Sequence, residues 1–348
     1  MSGRLKAAVL GATGYTGAEL TKILLDHARV ERPILLRRNH GSQADSGLED
    51  LFPALPDSGG GLFQPLDWAA LKRQDVKLLF CATPHEVSRS LVPEAIAEGL
   101  RVIDLSGAWR LRQERNRAIY GFRDEDALTA AELTRKAVYG LPELNGDRLP
   151  EAGLVANPGC YATSIILALA PLMKAGLVDR EHGIICDSKS GVSGAGKEPT
   201  DRTHFVSVAD NLSAYSVFNH RHCGEIVEQL GLEPSDLVFT PHLLPIPRGI
   251  LSTIYVRMAR GTKSAEIEAC YREFYAGRRW VRVFATPRLP QIRFALFTNY
   301  CDLGFCLSED TRRLVIVSCV DNLLKGAAGQ AIQNMNLMYG WKEEEGLR

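Results

Sequence analysis

The sequence carries no excess of either charge: over 348 residues Lys+Arg and Asp+Glu each number 41. Without a basic surplus no field draws the chain to nucleic acid or to an anionic lipid surface, and neither is an expected partner. Long hydrophobic runs are also missing. The longest apolar stretch, 164–173, is too short to span a bilayer and contains Pro171. The N-terminal apolar run leads straight into a glycine-rich turn, with no small-residue cleavage site, so the expectation is a cytoplasmic protein. Paired CxxC spacing is absent although there are eight cysteines, which argues for reduced, mostly buried thiols and against a disulfide framework or a metal site. There is no internal repeat and no low-complexity tract.

What is present is an ordinary globular composition, 45% hydrophobic and 24% charged, on a chain long enough for two domains. Over the first ~110 residues apolar strands (6–10, 32–37, 76–82, 102–105) alternate with amphipathic stretches (18–28, 86–98). That alternation predicts an α/β fold: a doubly wound, Rossmann-type nucleotide-binding domain with helices on both faces of a parallel sheet. The region 109–145 is polar and punctuated, and reads as a connection. After a short strand at 153–156 and a long helix at 161–177 the pattern turns β-rich (183–188, 235–239, 250–257, 281–284, 314–320), predicting a second, α+β domain. The last helix is expected over 322–339. The domains so divided are 1–157 and 158–321.

Gly11-Ala-Thr13-Gly14-Tyr15-Thr16-Gly17 joins the first strand to the first helix. A pyrophosphate can approach a backbone without side chains there and accept from the N–H groups of the helix start. The spacing is GxxGxxG, a variant of the dinucleotide fingerprint. The second strand ends in Arg37-Arg38, two cations where an NAD-binding protein places an acid, which favours NADP.

Cys160 follows Asn157-Pro158-Gly159 at the start of the long apolar helix. A thiol at a helix N-terminus is stabilised as the thiolate, so this is the nucleophile candidate, and a thiolate beside a nicotinamide suggests a covalent thioester or thiohemiacetal that exchanges hydride. Such chemistry needs an acid/base. His27, His40 and His182 sit in polar loop or helix-end contexts and are set aside. His85 follows the third strand. Among His220, His222 and His242, spacing alone makes no choice.

GATGYTGAEL, NPGCYAT, SGVSGAGK at 190–197, NHRH at 219–222, TPHLLPIPRGI at 240–250 and DNLLKGAAGQAIQNMN at 321–336, in that order, resemble the N-acetyl-γ-glutamyl-phosphate reductase family of the semialdehyde dehydrogenase group. The resemblance runs nearly end to end. It implies NADPH-dependent reduction of an acyl phosphate to an aldehyde through a Cys160 thioester, with His220 as acid/base and His222 as runner-up. It also implies cofactor contacts from the glycine-rich turn, Arg37, Arg38 and Asn322. Substrate contacts would come from Arg110, Asn157, Lys197, His222 and His242. A terminal helix, 322–348, would complete the NADP domain, and a homodimer or homotetramer is expected. Where the family usually reads SADFRL, this chain has Ser106-Gly-Ala-Trp-Arg-Leu111, keeping Arg110 but replacing an acid and a phenylalanine.

Several rival readings fit parts of the sequence. Reductases of an acylated aminoadipyl phosphate or of aspartyl phosphate use the same thiol and cofactor, and one methylene is discriminated by only about 1–3 kcal/mol. A non-catalytic NADP sensor would not need the thiol. Residues 191–197 satisfy GxxxxGK, but Glu198 and Pro199 stand where a P-loop needs a Mg²⁺-binding hydroxyl. No tyrosine has lysine four residues later, against a short-chain reductase. A metal site from His220, His222 and Cys223 lacks a fourth ligand.

Overall fold

The computed structural model describes residues 3–37 and 63–348. The chain divides into two compact units: Met1–Arg110, Phe122–Asn157 and Ala328–Leu347 form the first, and Leu111–Gly121, Pro158–Ala327 and Arg348 the second.

The first unit is built on seven parallel strands: β1 (Ala7–Leu10), β2 (Ile34–Arg37), β3 (Gln64–Pro65), β4 (Leu78–Cys81), β5 (Arg101–Asp104), β6 (Val138–Tyr139) and β7 (Leu154–Ala156), in the order β3-β2-β1-β4-β5-β7-β6. β1 and β4 are buried at every position, as strands covered on both faces must be, which is why they read as unbroken apolar runs. On one face Leu20 and Leu24 of the first helix (Tyr15–Leu25) and Ala331, Ile332 and Met335 of the terminal helix (Ala328–Met338) pack against Val9, Phe80 and Ile103. Val92, Ala95 and Trp109 cover the other face, against Ala8, Leu79 and Val102. The order reverses between β1 and β4, so the crevice at their carboxyl ends is the switch point at which such sheets take ligands.

The second unit holds a mixed sheet of β8 (Val178–Asp179), β9 (Ile184–Gly191), β10 (Ser213–Ala214), β11 (Leu237–Leu244), β12 (Ile250–Met258), β13 (Val281–Val283), β14 (Cys301–Leu307) and β15 (Arg313–Val320). Its order is β10-β11-β9-β12-β15-β14-β13, with β8 on β12. The helix Cys160–Lys174 lies on one face, buried at every position from Tyr161 to Leu172. A helix that is apolar all round has no solvent side. The sheet covers one side of it, and the helices His222–Leu230 and Ser264–Phe274 pack beside it. The few polar groups at this interface pair with each other, as where Ser164 donates to Ser318 at 2.9 Å and lies 3.0 Å from the Ser252 hydroxyl.

Three expectations need correction. The stretch 109–145 is more than a connection, since it contains the helix Ala127–Lys136, capped by Asp126, and strand β6. Within it, Leu111–Gly121 groups with the second unit because the Glu228 carboxylate accepts from the main-chain N–H groups of Arg112 and Gln113 and from the Asn116 amide. The terminal helix starts at Ala328, not 322, because Asn322 is drawn away by bonds to the Gly249 N–H and the Ser193 hydroxyl. Among the described residues no helix is long and apolar enough to cross a membrane.

Candidate active site

Gly11 has φ +92°, and a Cβ there would lie 2.3 Å from the Ala82 carbonyl oxygen. A Cβ on Gly17 would lie 2.1 Å from the Gly11 oxygen. The turn is thus folded so closely upon itself and upon the end of β4 that only glycine fits. The helix that follows has Gly14 as its N-cap and no side chain on its first N–H groups. Thr13 and Tyr15 are exposed and Thr16 is half-buried on the same turn. A bare cradle with open N–H donors is what a dinucleotide pyrophosphate needs, and the residues fit that group. Because Leu10 pairs with Leu36, Arg37 is level with Gly11 and stands at the rim of the same crevice. Arg38 lies outside the described residues.

In the first unit Asn157, fully buried, is held through its main chain: its N–H donates to the Asp104 carbonyl at 2.8 Å, and its own carbonyl accepts from Arg110 Nε at 2.7 Å. Arg110 Nη2 donates to the Leu105 carbonyl at 2.8 Å. The Asn157 side chain accepts from Asn334 of the terminal helix at 3.0 Å. The replaced family positions are accommodated by packing. Trp109, 1% exposed, donates to Ser88 at 3.0 Å and lies under the Arg89 guanidinium, which pairs with Asp124.

In the second unit Cys160 is the first residue of its helix, with Gly159 as N-cap and again no side-chain cap. The turn is tightly enclosed. A Cβ on Gly159 would lie 2.3 Å from His222 Nε2, and one on Gly326 would lie 2.7 Å from the Cys160 Cβ. The Gly159 N–H donates to Glu225, a fully buried carboxylate one helical turn beyond His222. His220 stands edge-on to Tyr161, Tyr215 and Phe239 at centroid distances of 5.5, 5.6 and 5.3 Å, with the His222 ring 4.6 Å away. Burial in this cage, reinforced by His222 and Arg221, pushes the His220 pKa down to about 2, so the ring is neutral. The His222 main-chain N–H donates to His220 Nδ1 at 3.2 Å. The Tyr215 hydroxyl donates to that of Tyr161, which donates to the His242 carbonyl. Burial raises both phenols, Tyr215 to about 12.

The structure thus gathers Cys160, His220 and His222 at one helix end. It does not bring the His242 side chain there. Residues alternate across β11, with Phe239 facing the helix Cys160–Lys174 and His242 the opposite way, so that His242 Nδ1 lies 3.1 Å from Asp187 Oδ1. At this helix end His242 contributes its main-chain carbonyl, which accepts from the Tyr161 hydroxyl. Lys197 is exposed in the turn after Gly196, and Asn322 is 2% exposed, with its amide engaged as described. His27, set aside as a loop residue, is 2% exposed and bonded to Asn336. Sequence reading missed Tyr161, Tyr215 and Glu225. Only Glu225 left a signal, at the i+3 spacing from His222 that shares a helix face.

Two family profiles match: the NAD binding domain of semialdehyde dehydrogenases over residues 6–152 and their dimerisation domain over 160–322. Curated proteins named N-acetyl-γ-glutamyl-phosphate reductase match along nearly the whole chain. That of Alkaliphilus metalliredigens is 44% identical and that of Desulforapulum autotrophicum 42%, each over 99% of this chain and 98% of its own. The one from Methanocaldococcus jannaschii is 42% identical over 98% and 97%. Among solved structures, aspartate semialdehyde dehydrogenase II of Vibrio cholerae superposes with TM-score 0.71 at 18% identity, over 97% of this chain and 98% of that one. The aspartate semialdehyde dehydrogenase of Candida albicans, solved with NADP, gives 0.68 at 17%, over 96% and 98%. At such identities the likeness is one of fold.

Proposed function

Since the chain belongs to the N-acetyl-γ-glutamyl-phosphate reductase family, we propose that it reduces N-acetyl-γ-glutamyl phosphate to N-acetylglutamate semialdehyde, with NADPH as reductant and Cys160 as the nucleophile. The observation that carries the assignment to Cys160 is its position as the first residue of a helix capped by Gly159, beside the opening N–H groups of that helix. Those groups, and the helix dipole, favour negative charge on the sulfur.

The thiolate attacks the acyl carbonyl and forms the C–S bond. The oxyanion collapses as the C–O bond to phosphate breaks, which leaves a thioester on Cys160. NADPH, which the glycine-rich turn would hold, would supply the hydride that takes the thioester carbon to the aldehyde oxidation level. The C–S bond then breaks toward sulfur, and Cys160 is a thiolate again. Gly11, Thr13, Gly14, Tyr15, Thr16, Gly17, Arg37 and Arg38 are the proposed cofactor contacts, with Asn322 shaping the nucleophile side. Arg110 and Lys197 are the proposed cations for the substrate phosphate, and Asn157 and His222 are further proposed substrate contacts. The enzyme is proposed to work in the cytoplasm as a homodimer or homotetramer; sedimentation as a 38.3 kDa species at micromolar concentration would contradict that.

Rapid quench with the acyl phosphate in the absence of NADPH tests the mechanism. Wild-type protein is expected to release one phosphate per Cys160 in a burst. Cys160→Ser should give none, because a serine hydroxyl is essentially un-ionised at neutral pH. A burst that survives in Cys160→Ser would move the nucleophile elsewhere.

A further inference from the structure

Phe297 is a backbone outlier in the second unit. Its φ is +60°, a left-handed conformation that a bulky residue rarely adopts, and it is 65% exposed, so little apolar burial compensates. Two contacts hold it there. Its main-chain N–H donates to Asp321 Oδ2 at 2.8 Å, and its ring centroid lies 4.8 Å from the Arg248 guanidinium carbon. Arg248 in turn brings Nε within 3.1 and 3.0 Å of the two Asp321 carboxylate oxygens. A strained position persists where its surroundings over-determine it, and here they converge on one carboxylate.

Asp321 is fully buried, follows β15 directly and opens the turn 321–327. Its Oδ1 accepts from the N–H groups of Leu323 at 2.9 Å and Leu324 at 3.2 Å, and its carbonyl accepts from those of Leu324 at 3.2 Å and Gly326 at 2.9 Å. Side chain and main chain of one residue thus fold the turn together. Two parts of the nucleophile site depend on that turn. A Cβ on Gly326 would lie 2.7 Å from the Cys160 Cβ, so the bare Gly326 backbone walls the first residue of the nucleophile helix. Asn322 accepts from the Gly249 N–H at 2.6 Å and donates to the Ser193 hydroxyl at 2.9 Å, which fixes the loop after β9. All these residues belong to the second unit.

We propose that Asp321 is a positioning residue for the nucleophile: its carboxylate, held by Arg248 and the Phe297 N–H, fixes the turn whose Gly326 holds Cys160 in place. The inference rests on the proposed role of Cys160, and Asp321 acts on it only through Gly326. An amide cannot stand in for the carboxylate. Both oxygens accept N–H groups, and the Nδ2 of an asparagine would set a donor against one group of them. Loss of those bonds frees the Gly326 wall, and a reacting atom displaced by about 1 Å costs about 100-fold in rate. The strain at Phe297 has the same origin, because only with its N–H turned toward Asp321 is the second oxygen satisfied by the main chain.

The test separates the rate of acylation from the number of competent sites. In rapid quench with the acyl phosphate and no NADPH, Asp321→Asn is expected to keep the wild-type burst amplitude but to reach it about 10–100-fold more slowly. Arg248→Met leaves the turn's own bonds to Asp321 in place and should slow the burst about 3–10-fold, which serves if Asp321→Asn does not fold. Phe297→Gly keeps the N–H bond in a conformation that glycine adopts freely, and should acylate at the wild-type rate. A wild-type rate in both Asp321→Asn and Arg248→Met overturns the proposal, as does a smaller burst at an unchanged rate, which is the mark of a merely structural role. Equal slowing in Phe297→Gly overturns it too, since that variant spares every bond of Asp321. Absence of a burst in the wild type would instead sink the thioester reading. Alkylation of Cys160 by iodoacetamide, followed by the mass of its peptide, then decides: a rate raised by about threefold or more in Asp321→Asn supports the positioning role, and an unchanged rate overturns it.

Discussion

Arg110 illustrates how one side chain can carry two duties. Its guanidinium lies 8% exposed between the Leu105 and Asn157 carbonyls, so it ties the ends of β5 and β7 together three residues before Cys160. If it also faces the substrate phosphate, Arg110→Ala should raise KM for the acyl phosphate and lower kcat as well, because the Asn157 carbonyl loses a charged donor worth about 1.5–3 kcal/mol. Steady-state kinetics with the acyl phosphate checks this. A fall in kcat at unchanged KM would leave Arg110 as a positioning residue alone. The same economy of space governs Gly159 and Gly326, where a Cβ would meet His222 or Cys160 itself. Composition gives no hint of such a restriction, because it arises from neighbours distant in the chain.

Among the helices, the way each begins separates two kinds. Trp68–Arg73 and Ala127–Lys136 are closed by Asp67 and Asp126, whose carboxylates accept from Ala70 and from Leu128 and Thr129. The first helix and the nucleophile helix start instead on Gly14 and Gly159, with no side-chain cap. A capping carboxylate satisfies orphan N–H groups that a ligand would otherwise use. The two helices assigned to chemistry are left open, as are His85–Ala97, His222–Leu230 and Ser264–Phe274, so an open start admits a ligand without marking its site. Gly17→Ala, which drives a Cβ toward the Gly11 oxygen, should therefore weaken NADPH binding by at least tenfold in a fluorescence titration while the phosphate burst of Cys160 persists. Binding at the wild-type level would show that the turn tolerates a methyl group and is not the cradle.

At the scale of the whole molecule, two desolvated histidines, one buried and one half-buried, couple stability to pH. His27 sits with Nε2 3.1 Å from the Asn336 Oδ1 and Nδ1 accepting from the Arg29 N–H, and burial lowers its pKa from 6.5. His220 is lowered further, to about 2. Both are neutral in the native state and more readily protonated when unfolded. Their contribution is thus fully present above about 6.5 and is lost as pH falls, each adding a slope of at most about 1.4 kcal/mol per pH unit. The melting temperature should drop steadily below about pH 6.5, and His27→Gln should flatten part of that fall. An unchanged acid limb in the variant would show that His27 is not its source.

The amino-acid sequence by itself determined the parallel sheet of the first unit and the place of its glycine-rich turn. Buried strands such as Ala7–Leu10 and Leu78–Cys81 must be apolar throughout, and a glycine turn between strand and helix has few other uses. Local pattern also marked Cys160, because a strand end, a Pro-Gly turn and a helix start are neighbours in the chain. Strand β14 went unread because Asp302 and Gly304 interrupt its apolar run. Asp302 is tolerated there only because Arg282, twenty positions earlier, pairs with it at 2.6 Å. His220 and His242 could not be told apart in sequence, since a histidine's role depends on what surrounds the ring. Tertiary structure turned one into an aromatic cage beside the nucleophile helix and the other to the far face of its sheet. The physical reason is range: periodicity and turn chemistry act over a few residues, whereas desolvation, ring contacts and tautomer choice are imposed by elements that meet only once the chain has folded.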